Sequence, residues 1–217
     1  MKHITFHLDF ISPYAYLAFA QLPEALKGIS YGVDYRPVLF AGMLKHHGQL
    51  GPAEIAPKRD WTYRQVMWLA DKLGLEMRMP ASHPFNPLPL LRLALACGQR
   101  AGDSNRYVCE QIFKHVWTSG ADMNDAAYFE TLLAKLKPRH DLQGSDVKNC
   151  LKANTDVAIS KGVFGVPAFE VDGQVFWGLD GLPMLRDYLL DAPWFEAGGW
   201  ERSRQVASGV VRQSSIN

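Results

Sequence analysis

The feature that most constrains the fold of this chain is a long helical stretch enclosed between two β-rich segments. Residues 3–10 alternate between polar and apolar side chains and are rich in β-formers, which predicts a strand. Residues 14–26 carry apolar side chains at helical spacing, and residues 32–39 predict a second strand. A strand, a helix and a strand in this order favour a parallel βαβ unit.

The middle of the chain, from residue 53 to about residue 154, has a helical pattern throughout. Asp125 and Ser145 are predicted N-caps, and Gly162 is the predicted stop after the last of these helices. Three tryptophans also fall at helical spacings, which favours core positions over an aromatic binding slot: Trp61, Trp68 and Trp117.

Strand patterns return after the helical stretch. Residues 168–171 and 174–177 are rich in β-formers and flank Asp172-Gly173, a dipeptide that favours a type I′ hairpin turn. A last helix is predicted over residues 182–190. The order predicts an α/β fold in which helices interrupt a sheet, and a thioredoxin-like fold is one of several that fit.

Composition and charge exclude several classes of partner. The 217 residues are 47% hydrophobic and 21% charged, as in ordinary soluble globular proteins. The net charge of +1 creates no field that would recruit nucleic acid or an anionic membrane. No apolar run approaches the roughly 20 residues that span a bilayer. His7 and Asp9 interrupt the N-terminal apolar segment, so we expect no signal peptide and a cytoplasmic location.

The number and positions of the cysteines argue against redox or metal chemistry on the side chains of the protein itself. The three cysteines are far apart, odd in number and in no metal-like spacing, so we expect buried apolar roles for Cys97, Cys109 and Cys150 and no metal site. A thioredoxin-type C-x-x-C would occupy residues 12–15, where the sequence is "SPYA". Disulfide exchange is thereby excluded.

Ser12 and Pro13 follow the first predicted strand directly. Serine is a favoured N-cap and proline is favoured at the next position, so ordinary capping explains the pair. A capping box is absent, because position N3 is Ala15 rather than Glu or Gln. A functional role is compatible with capping, since the positive end of a helix stabilises an anion to which a serine hydroxyl can donate a hydrogen bond.

Residues 162–182, "GVFGVPAFEVDGQVFWGLDGL", form the second candidate segment. Pro167 at the start of a predicted strand is tolerated where no ladder donor is needed. A cis bond before it would expose the backbone of Val166 to a bound peptide that docks as an added strand. Asp180 precedes the last predicted helix, where capping is the ordinary explanation.

This segment and "DFISPYAYLAF" near the N-terminus together resemble the 2-hydroxychromene-2-carboxylate isomerase family. That family is related to kappa-class glutathione transferases and to DsbA-like thioredoxin-fold oxidoreductases. The resemblance implies glutathione as cofactor, with its sulfur hydrogen-bonded to the Ser12 hydroxyl, the catalytic group. It implies that the Val166 backbone, beside the cis-proline position Pro167, pairs with the cysteinyl unit. It further implies that Asp180 holds the γ-glutamyl amine, with the Leu179 backbone beside it.

The resemblance covers about residues 3–190 and implies a homodimer with an α/β, thioredoxin-like fold of the DsbA and kappa glutathione transferase type. It implies a large all-helical insertion, so that the thioredoxin-like domain is discontinuous, over residues 1–50 and 155–195. The inserted helical domain would span residues 51–154, and a C-terminal tail residues 196–217.

The physical chemistry of Ser12 favours a nucleophile that the cofactor supplies. A free thiol has a pKa of about 8.5, so little thiolate exists at pH 7. A helix N-terminus and a hydroxyl donor favour the charged form and lower that pKa. The sequence fixes no base beside Ser12, and it has no G-x-S-x-G elbow.

Substrate contacts are implied beyond the second predicted strand. Lys45, in "GMLKHHGQLGP", approximately matches a lysine that binds an aromatic carboxylate in the resembled family. The Asn pair of that family is absent, since Gln49-Leu50 stands there. Asn86, in "HPFNP", is a further substrate-binding candidate. A solvated loop is the alternative for Lys45, and a turn between helices is the alternative for Asn86 and His83.

The leading hypothesis is a glutathione-dependent isomerase that acts on a small aromatic carboxylate by reversible thiolate addition, in aromatic compound catabolism. A kappa-like transferase that conjugates electrophiles is the second hypothesis, and steady consumption of glutathione would distinguish it. The third is a glutathione-binding thioredoxin-fold protein without catalysis, which would show no turnover. None of the three requires nucleic acid or a membrane.

Overall fold

The computed structural model describes residues 1–203, 205–207 and 209. Its elements alternate in the order that the sequence predicts, with a βαβ unit, a helical stretch, a hairpin and further helices. In chain order they are β1 Lys2–Leu8, α1 Pro13–Ala25, β2 Tyr31–Pro37, α2 Phe40–His46, a 3₁₀ turn Pro52–Glu54, α3 Ala56–Lys72, α4 Leu88–Ala96, α5 Arg106–Trp117, α6 Ala126–Leu136, α7 Ser145–Ser160, β3 Ala168–Val171, β4 Gln174–Trp177, α8 Leu182–Leu189, α9 Pro193–Glu196 and α10 Gly199–Ser203.

The sheet has the strand order β2-β1-β3-β4. β1 pairs in parallel with β2, which confirms the predicted βαβ unit. β1 pairs antiparallel with β3, and β3 pairs antiparallel with β4. The C-terminal ends of β1 and β2 therefore lie at the same end of the sheet, next to the start of β3. Ser12 follows β1, and Val166 and Pro167 precede β3, at this end.

The β3–β4 hairpin forms with the strand bounds that the sequence predicts. Asp172 has a φ of 50° and Gly173 a φ of 77°. Two consecutive positive φ values match a type I′ turn, whose twist suits a tight antiparallel hairpin.

The first two strands end earlier than predicted. β1 ends at Leu8 rather than at residue 10, and β2 ends at Pro37 rather than at residue 39. Beyond β2, the Leu39 amide donates to the Thr155 hydroxyl at 2.9 Å. The Ile11 and Phe40 amides, further along the chain, donate to the Asp9 carboxylate. These amides are therefore satisfied by side chains instead of by strand pairing.

One apolar cluster joins the sheet to the helices of the middle stretch. The rings of Phe6 on β1 and Phe169 on β3 lie 4.5 Å apart between centroids. The same cluster includes side chains from α3, α4 and α5, among them Val66, Leu91, Ile112 and Trp117. Burial of side chains of this size contributes about 1.5–3 kcal/mol each, so the helices are energetically part of the same core.

The predicted helix ends are partly confirmed. Asp125 caps α6 by accepting from the Ala127 and Tyr128 amides. Gly162 follows α7 with a φ of 83°. The prediction for Ser145 is wrong, because α7 is capped by Gly144 and Ser145 is its first residue.

The prediction that all three tryptophans belong to the core is confirmed only for Trp117, which is fully buried. Trp61 and Trp68 on α3 are 63% and 57% exposed. The buried face of α3 is instead formed by small and β-branched side chains, namely Thr62, Val66 and Ala70. Helical spacing identifies a stripe of side chains but does not determine which stripe packs inward.

The predicted tail over residues 196–217 is described only in part, since residues 204, 208 and 210–217 lie outside the described part of the chain. Within it, residues 199–203 form α10, where the ring of Trp200 lies 5.6 Å from that of Phe176. Within the described ranges, no helix combines the length and the apolar character that crossing a membrane requires. The same residues contain no group of three or more His, Cys, Asp or Glu that could hold a metal ion.

Candidate functional site

Ser12 is the N-cap of α1, as predicted. Its side-chain oxygen accepts a hydrogen bond from the Ala15 amide at 3.2 Å, and Pro13 occupies the first helical position. The residue is 8% exposed, so its hydroxyl lies just below the surface. No acidic residue occupies the first turn of α1, so no side-chain charge in that turn offsets the positive end of the helix.

The Ser12 hydroxyl also reaches the second candidate segment. It donates to the Val166 carbonyl at 3.4 Å, across 154 residues of sequence. The Val166–Pro167 peptide bond is cis, and the Pro167 carbonyl accepts from the Gly178 amide at 2.9 Å. The fold thus brings Ser12, Val166 and Pro167 together and sets the 178–180 turn beside them.

Asp180 lies in this turn with an exposed side chain, and Leu179 beside it is half-buried. The expected capping role of Asp180 is wrong, because Gly181 is the N-cap of α8 and no side chain caps it. Burial raises the pKa of Tyr14, in the first turn of α1, and the charge of Asp180 adds to that rise. The charge of Asp180 therefore acts on the Tyr14 hydroxyl, which donates to Gln65 of α3 at 2.5 Å.

Lys45 and Asn86 are both exposed and are not joined to Ser12 or Val166 by any hydrogen bond among the described residues. Lys45 lies in the last turn of α2. Asn86 accepts from the Leu88 amide at 3.1 Å, which is the turn role that the sequence left open. Their predicted contacts with a substrate stay predictions.

Asp9 is a site residue that the sequence did not reveal. It is fully buried, and its two carboxylate oxygens accept from the Ile11 amide at 3.2 Å and the Phe40 amide at 2.9 Å. Burial raises the pKa of this carboxyl to about 7, although the backbone N–H donors act in the opposite direction. Asp9 links the loop before Ser12 to the start of α2, which leads to Lys45.

The loop before Ser12 is also held from the side of the inserted helices. Trp117, at the end of α5, donates from Nε1 to the Phe10 carbonyl at 3.0 Å. His83 contacts the Ile11 carbonyl through Nε2 at 2.8 Å. His83 thus has a defined partner beside Ser12, whereas the sequence indicated only a turn. The signal that was available is a histidine in a Pro-rich connection between helices.

The turn that carries Leu179 and Asp180 requires glycine at position 181. A Cβ built on Gly181 would lie 2.6 Å from the Trp177 carbonyl oxygen, a backbone atom that cannot move away cheaply. We expect Gly181→Ala to reduce the free energy of unfolding by about 1–3 kcal/mol, as overpacking does. Urea unfolding measures this.

Gly42→Ala is the matched control, since Gly42 lies inside α2 and a Cβ there would meet Thr155 at an ordinary 3.4 Å. Relief of the glycine penalty in a helix should stabilise that variant by roughly 0.5–1 kcal/mol. Equal stabilities of the two variants would show that the 177–181 turn tolerates a side chain.

Comparison with known proteins places the chain in a family. The model of the DSBA-like thioredoxin domain family matches residues 3–190. A 2-hydroxychromene-2-carboxylate isomerase from Sphingobium xenophagum is 30% identical over 198 residues, covering 88% of this chain and 99% of that protein. Glutathione S-transferase kappa 2 from Caenorhabditis elegans is 25% identical over 210 residues, covering 88% and 92%.

A solved structure of a 2-hydroxychromene-2-carboxylate isomerase resembles this fold with a TM-score of 0.76 at 22% identity, covering 90% of this chain and 98% of that one. The predicted thioredoxin-like α/β fold with a helical insertion is confirmed by this likeness and by the family match. The chain belongs to the DSBA-like thioredoxin domain family.

Proposed function

We propose that the protein is a glutathione-dependent isomerase of the 2-hydroxychromene-2-carboxylate isomerase type. The observation that carries the proposal is the Ser12 hydroxyl, which lies at the N-terminus of α1 and 3.4 Å from the Val166 carbonyl. The 30% identity to an isomerase of that name supports the reaction type. We further propose a cytoplasmic homodimer, built from the thioredoxin-like and helical domains bounded as the sequence predicts.

The Ser12 hydroxyl and the N-terminus of α1 are suited to bind the sulfur of the cysteinyl unit. At 3.4 Å, the bond from the Ser12 hydroxyl to the Val166 carbonyl is long for an O–H···O hydrogen bond, so it holds the proton weakly. A thiolate placed outside the helix end is a charged and therefore stronger acceptor, to which this proton can turn. The α1 N-terminus adds its positive dipole end at the same point.

The neighbouring backbone fits the rest of the tripeptide. In the proposed pose, the Val166 backbone pairs with the cysteinyl unit as one strand pairs with the next, and Pro167 places it at the start of β3. The exposed Asp180 carboxylate binds the γ-glutamyl amine, with the Leu179 backbone beside it. Both contacts orient the cofactor without taking part in the chemistry.

Bound glutathione would supply a thiolate that adds reversibly to a conjugated carbon, so that the former double bond can rotate before the thiolate leaves. Ser12 stabilises negative charge at the sulfur before addition and after departure. Lys45 is proposed to hold the substrate carboxylate, and Asn86 to contact the aromatic substrate in the same cleft. Since the cofactor is regenerated, it is not consumed.

A kappa-type transferase is the second candidate, and the 25% identity to glutathione S-transferase kappa 2 supports it. Both activities begin with the same stabilised thiolate, and they differ in whether the adduct is released as product. With a reactive aromatic halide, a transferase consumes one glutathione for each turnover, whereas an isomerase leaves the glutathione concentration unchanged.

The test is a spectrophotometric assay of 2-hydroxychromene-2-carboxylate turnover with and without glutathione. We expect turnover that requires glutathione and no net loss of thiol. Glutathione should also raise the melting temperature, because a ligand at 100 times its Kd stabilises the native state by about 2.7 kcal/mol. Absence of both effects at millimolar glutathione would contradict the proposal.

A further inference from the structure

We infer that His83 is a positioning residue that fixes Ser12 for thiolate binding through the carbonyl of Ile11. The inference rests on the proposed glutathione function and assigns a role to a residue outside the cofactor contacts described above. His83 lies in the connection between α3 and α4, which belongs to the helical stretch rather than to the sheet.

The direction of the hydrogen bond from His83 follows from the acceptor. Its Nε2 lies 2.8 Å from the Ile11 oxygen, and a carbonyl oxygen can only accept. Nε2 therefore carries a proton. In the neutral ring Nδ1 is then an acceptor. The Tyr63 hydroxyl lies 2.7 Å from Nδ1 and 2.9 Å from the His83 carbonyl oxygen, so its one proton is shared between these two acceptors. Burial lowers the pKa of His83, which favours this neutral form at pH 7.

The orientation of the His83 ring is set by its neighbours. The ring centroids of Tyr63, Trp117 and Phe85 lie 5.4, 5.6 and 5.9 Å from that of His83. Trp117 is fully buried and donates to the Phe10 carbonyl, one peptide before the carbonyl that His83 contacts. His83 and Trp117 thus act on successive peptide units of the loop.

The Ile11–Ser12 peptide unit is held at both of its polar atoms. His83 donates to the Ile11 carbonyl oxygen of this unit. The Ser12 N–H of the same unit donates to the Asp9 carbonyl at 3.1 Å. Rotation of this peptide plane would carry Ser12 with it and move the hydroxyl relative to the end of α1. Because catalytic groups are sensitive to displacements of about 1 Å, loss of one anchor should weaken thiolate stabilisation.

Two substitutions distinguish the effect of the His83 hydrogen bond to Ile11 from the effect of the packing of its ring. His83→Phe keeps an aromatic ring beside Trp117 but removes the donor to Ile11. His83→Gln places an amide N–H at a similar reach from the backbone and keeps that donor. The readout is the pKa of the glutathione thiol bound to the protein, followed by thiolate absorbance near 240 nm at saturating protein.

We expect H83F to raise the pKa of the bound thiol by about one unit relative to the wild type, and H83Q to restore most of the difference. Tyr63→Phe, which removes the partner of Nδ1, should give a smaller shift in the same direction. His115→Phe is the matched control. His115 is a half-buried histidine of the same helical stretch that stacks on Tyr128 and, among the described residues, makes no side-chain hydrogen bond to the loop, so its replacement should leave the thiol pKa unchanged.

The outcomes separate this inference from the proposed function. A wild type that lowers the thiol pKa, together with an equally low value in folded H83F, would overturn the role of His83 and leave the proposed function intact. A wild type that binds glutathione without lowering the thiol pKa would overturn both. If H83F does not fold, Y63F and H83Q decide: values equal to the wild type in Y63F and raised in H83Q would contradict the inference.

Discussion

Replacing Ser12 by alanine should reduce kcat/KM for glutathione-dependent turnover by about 10²–10³-fold, the cost of removing one well-placed donor to a developing or transferred charge. The cause is the loss of the hydroxyl group, whose oxygen lies 3.4 Å from the Val166 carbonyl oxygen and whose proton would turn to the sulfur. The substitution also removes the N-cap of α1, which costs about 0.5–2 kcal/mol of stability. The assay is steady-state turnover, with the melting temperature measured on the same samples.

A second cap serves as the matched control for this experiment. Asn105 caps α5 by accepting from the Val108 amide at 3.0 Å, and it does not contact the loop or the 162–182 segment by a hydrogen bond among the described residues. Asn105→Ala should lose a similar amount of stability while kcat/KM stays within about twofold of the wild type. If S12A and N105A had the same turnover, Ser12 would be a structural cap only.

The largest expected effect on stability comes from the buried carboxyl of Asp9. Burial raises its pKa from 3.8 to about 7 in the folded protein. Between these values the folded state binds a proton that the unfolded state has released, so stability falls as the pH rises through this window. Above pH 7 the loss is complete, and a shift of roughly three units corresponds to up to about 4 kcal/mol.

Asp9→Asn should remove this pH dependence. Asparagine replaces one acceptor oxygen by an N–H₂ group that faces the Ile11 or Phe40 amide, so we expect a constant loss of about 1–3 kcal/mol as well. The informative quantity is therefore the difference in unfolding free energy between wild type and variant, measured by urea titration at several pH values from 4.5 to 8.

Three buried or half-buried histidines also make the stability of the protein depend on pH, which is why the wild type is compared with D9N at each pH. Burial lowers the pKa of His7, His83 and His115, so their unfolded forms bind more protons below pH 6.5 and stability rises with pH there. This slope has the opposite sign to that of Asp9 and is present in both proteins, so it cancels in the difference. A wild-type advantage over D9N that did not shrink between pH 4.5 and pH 7 would contradict the role assigned to Asp9.

The parts of the fold that could be predicted are those encoded within a few residues. Asp172-Gly173 specifies its turn because both positions need positive φ, and Ser12-Pro13 specifies a helix start because both residues suit helix N-terminal positions. The order of strands and helices follows from periodicity in the same local way. The exposed face of α3 could not be predicted, since periodicity leaves the direction of Trp61 and Trp68 open.

The candidate site was predicted in part for a related reason. Ser12, Val166 and Asp180 stand in motifs that resemble a known family, and the structure brings the first two into contact. The two side chains that hold the loop before Ser12 belong to no such motif. Trp117 is 107 residues from its partner Phe10, and His83 is 72 residues from its partner Ile11. Contacts of that range depend on how the helical stretch packs against the sheet, which no single segment of sequence specifies.

The measurement that tests the central claim most directly is the pKa of the thiol of glutathione bound to the wild-type protein. Free thiols have a pKa of about 8.5, and thiols at helix N-termini fall to roughly 3.5–7.5. The Ser12 hydroxyl at the end of α1 predicts a bound value in that lower range, seen as thiolate absorbance near 240 nm at neutral pH. Glutathione that raises the melting temperature but keeps a thiol pKa near its free value would show that Ser12 does not stabilise a thiolate.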